Sequence, residues 1–199
     1  MTNNTISTLL HDFHDCFSQH ISDMKTCSFD PSFNNNQGFV LVNSNYKCYN
    51  FDKISEDKCK LHGYDKLQSV DSILPLTPSE GFKLYLIEFK NSRSSKKKNK
   101  GQIPYSEVRA KILNSLLFFQ YFYKIDIKDF TDIVTITVKY STSKNKHNLN
   151  QMRKHLGLKI GSAADEVEHF KILKDMYGII SYKFDSVDFI EFLEQNKLV

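Results

Sequence analysis

The chain has no tryptophan, only seven glycines, and four cysteines without a single Cys-x-x-Cys pair. Each absence removes a class of chemistry. The few glycines form neither a Walker loop nor a dinucleotide fingerprint, so nucleotide-cofactor chemistry is not expected. No Gly-x-Ser-x-Gly elbow occurs and the histidines are scattered, which leaves a nucleophilic serine or cysteine enzyme without a framework. Cys16, Cys27, Cys48 and Cys59 lack the spacing of a disulfide framework or a zinc knuckle. The longest apolar cluster, Leu116 to Tyr123, is broken by Gln120 and falls far below membrane-spanning length. The N-terminus has no basic segment followed by an apolar stretch. The expectation is a reducing, cytoplasmic setting without membrane contact.

What is present argues for a folded protein. The 199 residues include 16 Phe and 10 Tyr, enough for one substantial core, so the expectation is a single domain over 1–199. Charged residues are a quarter of the chain and the net charge is a modest +4. The distribution matters more, because Lys90 to Lys100 holds six basic residues and no acid follows until Glu107. Such a block is usually a solvated loop, but Arg93, Lys96, Lys97, Lys98 and Lys100 also suit a polyanionic partner. Lys144, Lys146, Arg153, Lys154 and Lys159 form a second basic cluster.

Periodicity predicts an α/β fold with a mixed central sheet flanked by helices. Ile6, Leu9, Leu10, Phe13, Phe17, Ile21 and Met24 fall at helical spacing and predict an opening helix. Phe39 to Val42 and Tyr46 to Phe51 predict a hairpin around Asn43-Ser44-Asn45. Strands are expected over Leu67 to Leu74 and Lys83 to Lys90, with a turn at Pro78-Ser79-Glu80-Gly81. Pro104 starts a long helix whose first turns carry Arg109 and Lys111. Ile133 to Tyr140 is dense in β-branched residues and predicts a central strand. The remainder predicts helices over Asn148 to Leu156 and Ala163 to Met176, a strand over Ile179 to Phe184 and a closing helix from Ser186.

An acid, any residue and a lysine occur at Asp23, Glu56, Glu88 and Asp126, but only Glu88-Phe89-Lys90 ends a strand pattern. Period two puts Glu88 and Lys90 on the face of Leu84 and Leu86. A turn centred between Ser79 and Glu80 sets Asp71 opposite Glu88. Opposed carboxylates about 4 Å apart repel by roughly 4 kcal/mol at an effective dielectric near 20, so one is protonated or a cation lies between them.

These residues and the order of elements resemble the αβββαβ core of the PD-(D/E)xK nuclease superfamily, which has the restriction-endonuclease-like fold. The match rests on Ser69-Val70-Asp71, on Ile87-Glu88-Phe89-Lys90 and on the following helix. It spans about 1–140, leaving a C-terminal α/β extension over about 141–199. Two departures are visible: Val70 replaces the usual proline, and the opening helix has no Glu before Lys25, which favours one metal over two. The resemblance implies a metal-dependent endonuclease hydrolysing phosphodiester bonds, with DNA favoured over RNA. Asp71, Glu88 and the carbonyl of Phe89 would hold Mg²⁺ or Mn²⁺, and Lys90 would orient the attacking water. Arg93, Lys96, Lys97, Lys98, Lys100, Arg109 and Lys111 would contact nucleic acid. A homodimer is one assembly the resemblance allows. The rival expectations are a catalytically inactive nuclease-like fold that binds nucleic acid or protein, and an RNA-cleaving toxin or viral endonuclease domain. A zinc site from His11, His14, Cys16, Cys59 and His62 has less support, because no compact second pair has structural-site spacing.

Overall fold

The computed structural model describes residues 17–31, 38–76, 83–91, 103–140 and 170–195. Its strands are β1 (Ile21–Asp23), β2 (Phe29–Asp30), β3 (Phe39–Val40), β4 (Lys47–Asn50), β5 (Ser72–Leu76), β6 (Lys83–Lys90), β7 (Ile133–Lys139) and β8 (Ile180–Asp185). Its helices are α1 (Met24–Cys27), α2 (Phe51–Leu61), α3 (Tyr105–Tyr123), α4 (Lys171–Tyr177) and α5 (Ser186–Gln195). Six strands form one mixed sheet in the order β1-β4-β5-β6-β7-β8, and β2 pairs with β3 in a separate ribbon. The pairings from β1 to β6 are antiparallel, whereas β6, β7 and β8 run parallel.

Both faces of this sheet are covered, which explains why β7 is buried along nearly its whole length. On one face Leu84, Leu86 and Ile133 pack with Phe51 and Ile54 of α2 and with Val108, Ile112 and Leu116 of α3. On the other, Tyr85, Ile87, Val134 and Ile136 pack with Met24 and with Phe189, Phe192 and Leu193 of α5. The sheet alternation therefore sorts β6 cleanly: Leu84 and Leu86 to the α3 side, Tyr85 and Ile87 to the α5 side. The expected C-terminal strand and closing helix are present as β8 and α5, and β8 extends the same sheet.

Local chemistry sets the helix ends. Asn50 caps α2 by accepting from the Lys53 amide at 3.1 Å. Pro104 precedes α3 as expected, and Lys124 closes it in a left-handed conformation (φ 55°) with its amide on the Phe119 carbonyl. Pro75 is tolerated inside β5 because β4 pairs only with Ser72 and Ile73, leaving the Pro75 edge unladdered on that side.

Four expectations need correction. The opening helix does not run to Met24: Ser18–His20 is a 3-10 turn and Ile21–Asp23 is a strand paired with β4. The apolar residues there do not share one face, since Phe17 and Met24 belong to clusters on opposite sides of the sheet and Ile21 is exposed. The expected hairpin is also absent. Phe39–Val40 pairs with Phe29–Asp30, held by the Val42 amide donating to the Ser28 hydroxyl at 2.9 Å, while β4 pairs with β1 and β5. Helix α2 was not expected, and it separates β4 from β5. Finally, the strand expected from Leu67 begins only at Ser72, because the preceding backbone is engaged by α3 side chains. The turn at 78–81, the helix over 148–156, the cluster from Lys144 to Lys159 and the basic residues 93–100 lie outside the described residues.

Phe51 is wholly buried, stacked on Phe119 at 5.2 Å and edge-on to Phe118 at 5.1 Å. Phe51→Ala should lower unfolding free energy by about 3 to 5 kcal/mol. Urea denaturation followed by far-ultraviolet circular dichroism measures this, and a loss below about 1 kcal/mol would contradict the packing.

Candidate active site

The site forms where β5 begins and β6 ends, beneath the first turns of α3. The β5–β6 ladder pairs Ser72 with Ile87, so one further step sets Asp71 opposite Glu88, as the expected turn centre required. Asp71 lies just before β5 and takes the ladder's place with its side chain: Oδ2 accepts from the Phe89 amide at 2.7 Å. The N–H and C=O of one strand residue point to the same side, so the Phe89 carbonyl faces the Asp71 edge too.

The backbone around Asp71 is tied to both neighbouring helices. Its carbonyl accepts from the Phe51 amide at 3.1 Å, at the start of α2. The Val70 amide donates to the Ser115 hydroxyl at 3.1 Å, and Asn114 donates to the Gln68 carbonyl at 3.0 Å. Ser69 donates to Asp52 at 2.9 Å. These bonds hold residues 68–71 between α2 and α3 and explain why this stretch forgoes the sheet ladder.

Glu88 and Lys90 share the α3 face, as period two predicted. Glu88 is 1% exposed, yet it is well supplied with positive charge. Lys111 Nζ lies 2.8 Å from Glu88 Oε1, 3.0 Å from Oε2 and 3.2 Å from Asp71 Oδ1. Lys90 Nζ lies 3.0 Å from Glu88 Oε1 and 3.7 Å from Glu107 Oε1. The cation between the two opposed carboxylates is thus the Lys111 ammonium. Lys111, expected to contact nucleic acid, lies in this structure against both carboxylates. It is three residues after Val108 and four before Ser115, both buried, so its place on the inward stripe of α3 was readable. Arg109, by contrast, is exposed on α3. The contributions of Asp52 and Glu107 around the pair were also missed, and neither residue had a pattern to mark it.

Burial and repulsion set the protonation. Burial, followed by the charge of Asp71, pushes the Glu88 carboxyl up to about 7. Burial also raises Asp71, against the opposing pull of Lys111 and the Phe89 amide. Burial alone would depress Lys111, but Asp71 and Glu88 outweigh it and hold the ammonium above its ordinary value. At neutral pH the cluster therefore sits close to the point where a proton on Glu88 exchanges with solvent.

The donor set suits a hard cation: two carboxylates and a facing carbonyl, with one carboxylate oxygen, Glu88 Oε1, buried beside ion-pair neighbours but without a bond of hydrogen-bond geometry. It is sparse, however. Among the described residues no group of three or more His, Cys, Asp or Glu gathers as a metal cage, so most remaining ligands would be waters. Of the residues weighed for zinc, His62 lies against the ring of Phe122 at 5.2 Å and Cys59 is buried, while 11, 14 and 16 are outside the described residues.

In chelator, stability should fall as pH rises from about 4.5 to 7. The folded chain keeps a proton on Glu88 there that the unfolded chain has released, so the unfolded state gains with each step upward, and the effect levels off above about 7. The whole window is worth about 3 kcal/mol. Glu88→Gln should flatten this part of the urea-denaturation profile, and an unchanged slope would place the titration elsewhere.

Comparison with protein families, curated proteins and solved structures finds no match to this chain in any of the three.

Proposed function

We propose that this chain is a metal-dependent nuclease of the PD-(D/E)xK kind, with Asp71, Glu88 and Lys90 at its centre and DNA the favoured substrate. One observation carries the reading: Asp71, the residue just before β5, stands one ladder step beyond the Ser72–Ile87 pair and so opposite Glu88 of β6, with Lys90 on the Glu88 face 3.0 Å from its carboxylate. The run β4, β5, β6, α3, β7 supports it further, since it repeats the strand-strand-strand-helix-strand part of the core with α2 inserted after the first strand.

Asp71, Glu88 and the Phe89 carbonyl would hold Mg²⁺ or Mn²⁺. When bound, the ion would make a coordinated water more acidic and stabilise charge on the phosphoryl oxygens. Lys90 would orient the attacking water from the same face as Glu88. Lys111 has two roles in this reading. Without substrate it pairs with both carboxylates, and with substrate its ammonium would turn to a phosphate oxygen, a partner it binds as a point charge. Arg109, exposed on the same helix, would contact the nucleic-acid backbone.

A second reading keeps the fold and removes the chemistry, making the chain a nucleic-acid-binding or protein-binding module. The Lys111 ammonium favours it, because this group already satisfies the carboxylates that a metal would need.

Incubation with duplex, single-stranded, branched and RNA substrates separates the two. Cleavage should require Mg²⁺ or Mn²⁺, stop in chelator, and fall at least about 100-fold in Asp71→Asn, Glu88→Gln and Lys90→Ala. Cleavage that survives Lys90→Ala would remove that lysine from the chemistry. Salt-sensitive binding without cleavage of any substrate would favour the binding module. Independently of activity, Lys111→Met should raise Mn²⁺ affinity by about tenfold or more in calorimetry, because the competing ammonium is gone. Equal affinities would show that Lys111 does not compete.

A further inference from the structure

Near the edge of the sheet, the fold joins two thiols that the sequence keeps 21 residues apart. Cys27 ends α1 and Cys48 lies in β4, and their sulfurs are 3.6 Å apart. Both are free thiols. The contact follows from how the edge of the sheet is built. β1 pairs with β4, placing Ser22 opposite Cys48. Asp23 then caps α1 by accepting from the Thr26 amide at 2.7 Å, and this single turn brings Cys27 back over β4. The Met24 amide donates to the Tyr46 carbonyl and the Lys25 amide to the Ser44 carbonyl, each at 3.0 Å, so α1 is stitched to the residues leading into β4.

We propose that Cys27 and Cys48 are an oxidisable dithiol site that closes reversibly into an intramolecular disulfide when the protein meets hydrogen peroxide. A disulfide needs its sulfurs about 2.0 Å apart, so from 3.6 Å they must approach by about 1.6 Å. Burial assigns the roles. Cys27 is partly exposed and Cys48 is buried, so peroxide reaches Cys27 first. The Cys48 thiol donates to the Cys27 sulfur, which favours thiolate on Cys27 and holds the proton on Cys48.

The chemistry balances in two steps. The Cys27 thiolate attacks one peroxide oxygen, the O–O bond breaks, and hydroxide leaves to take up a proton as water, giving a sulfenic acid. The Cys48 sulfur then attacks the Cys27 sulfur, the S–O bond breaks, and a second water leaves with the Cys48 proton. Two thiols are oxidised by two electrons in all and one peroxide is reduced to two waters. A dithiol reductant reverses the bond by exchange.

The test uses the full chain treated with hydrogen peroxide, quenched, denatured and alkylated. Before alkylation the intact mass should fall by about 2 Da; after it the alkylated thiols should number two rather than four, and digestion should yield one linked peptide joining Cys27 to Cys48. Dithiothreitol should restore all four thiols. Cys48→Ser should leave Cys27 as a sulfenic acid trapped by dimedone, whereas Cys27→Ser should leave Cys48 unmodified. Circular dichroism checks the fold of each variant, and Cys59→Ser should preserve the wild-type linkage. Four thiols remaining after treatment, a linked peptide containing Cys16 or Cys59, or a cross-linked dimer would each overturn the proposal, and the wild-type result decides even if a variant fails to fold.

Discussion

A buried carboxylate at position 88 is the constraint around which this end of the molecule is organised. Glu88 has lost its water and faces a second acid, so its charge is tolerable only with partners held at close range. Lys90 supplies one from two residues along the same strand. Lys111 supplies the other, and it does so only because α3 lies where it does. The buried positions Val108, Ile112 and Leu116 dock that helix on the sheet, and Asn114 and Ser115 fasten the coil leading into Asp71 along it. The ion cluster and the helix packing therefore depend on each other, and a shift of α3 by one turn would leave Glu88 with one ammonium and Asp71 with none.

Such a cluster is an inefficient way to hold a fold together. Well-packed apolar side chains of similar volume often stabilise as much as a buried ion group, or more, without its desolvation cost. The strand already shows the alternative: Leu84 and Leu86 use the same face to build core with α2 and α3. The change from leucine to Glu88 and Lys90 occurs where the face opens, with Asp71, Lys90 and Lys111 each retaining about a sixth to a fifth of their exposure. Partial access, rather than burial alone, is what a chemical role requires.

The sheet centre was legible because its information is local. Alternation in Lys83 to Lys90 assigned Glu88 to the Leu84 face without reference to the rest of the chain, and the turn centre carried Asp71 into register with it. The N-terminal quarter was not legible in the same way. Ile21 to Asp23 has helical-looking neighbours, but its backbone is claimed by β4, a partner more than twenty residues distant. Helix α2 escaped notice because its only apolar residues are Phe51, Ile54, Cys59 and Leu61 among mostly charged ones, although Asn50 is a good cap. Cys27 and Cys48 meet through that same long-range pairing, so no spacing rule could have joined them.

Electroneutrality constrains how the proposed chemistry would be loaded. As folded, Lys111 shares both carboxylates, and adding a divalent charge beside its ammonium would set like charges in one low-dielectric space. Releasing Lys111 into water would relieve that repulsion but expose a charge that had three acceptor oxygens within 3.2 Å. A substrate phosphate offers the missing acceptor. On this argument metal and nucleic acid would enter cooperatively, each lowering the cost of the other, since the phosphate takes the ammonium that the metal displaces. The same lysine that makes the metal-free site self-sufficient would then couple it to its substrate, and a site that bound the ion equally well with and without nucleic acid would have no need of Lys111 on the inward face of α3.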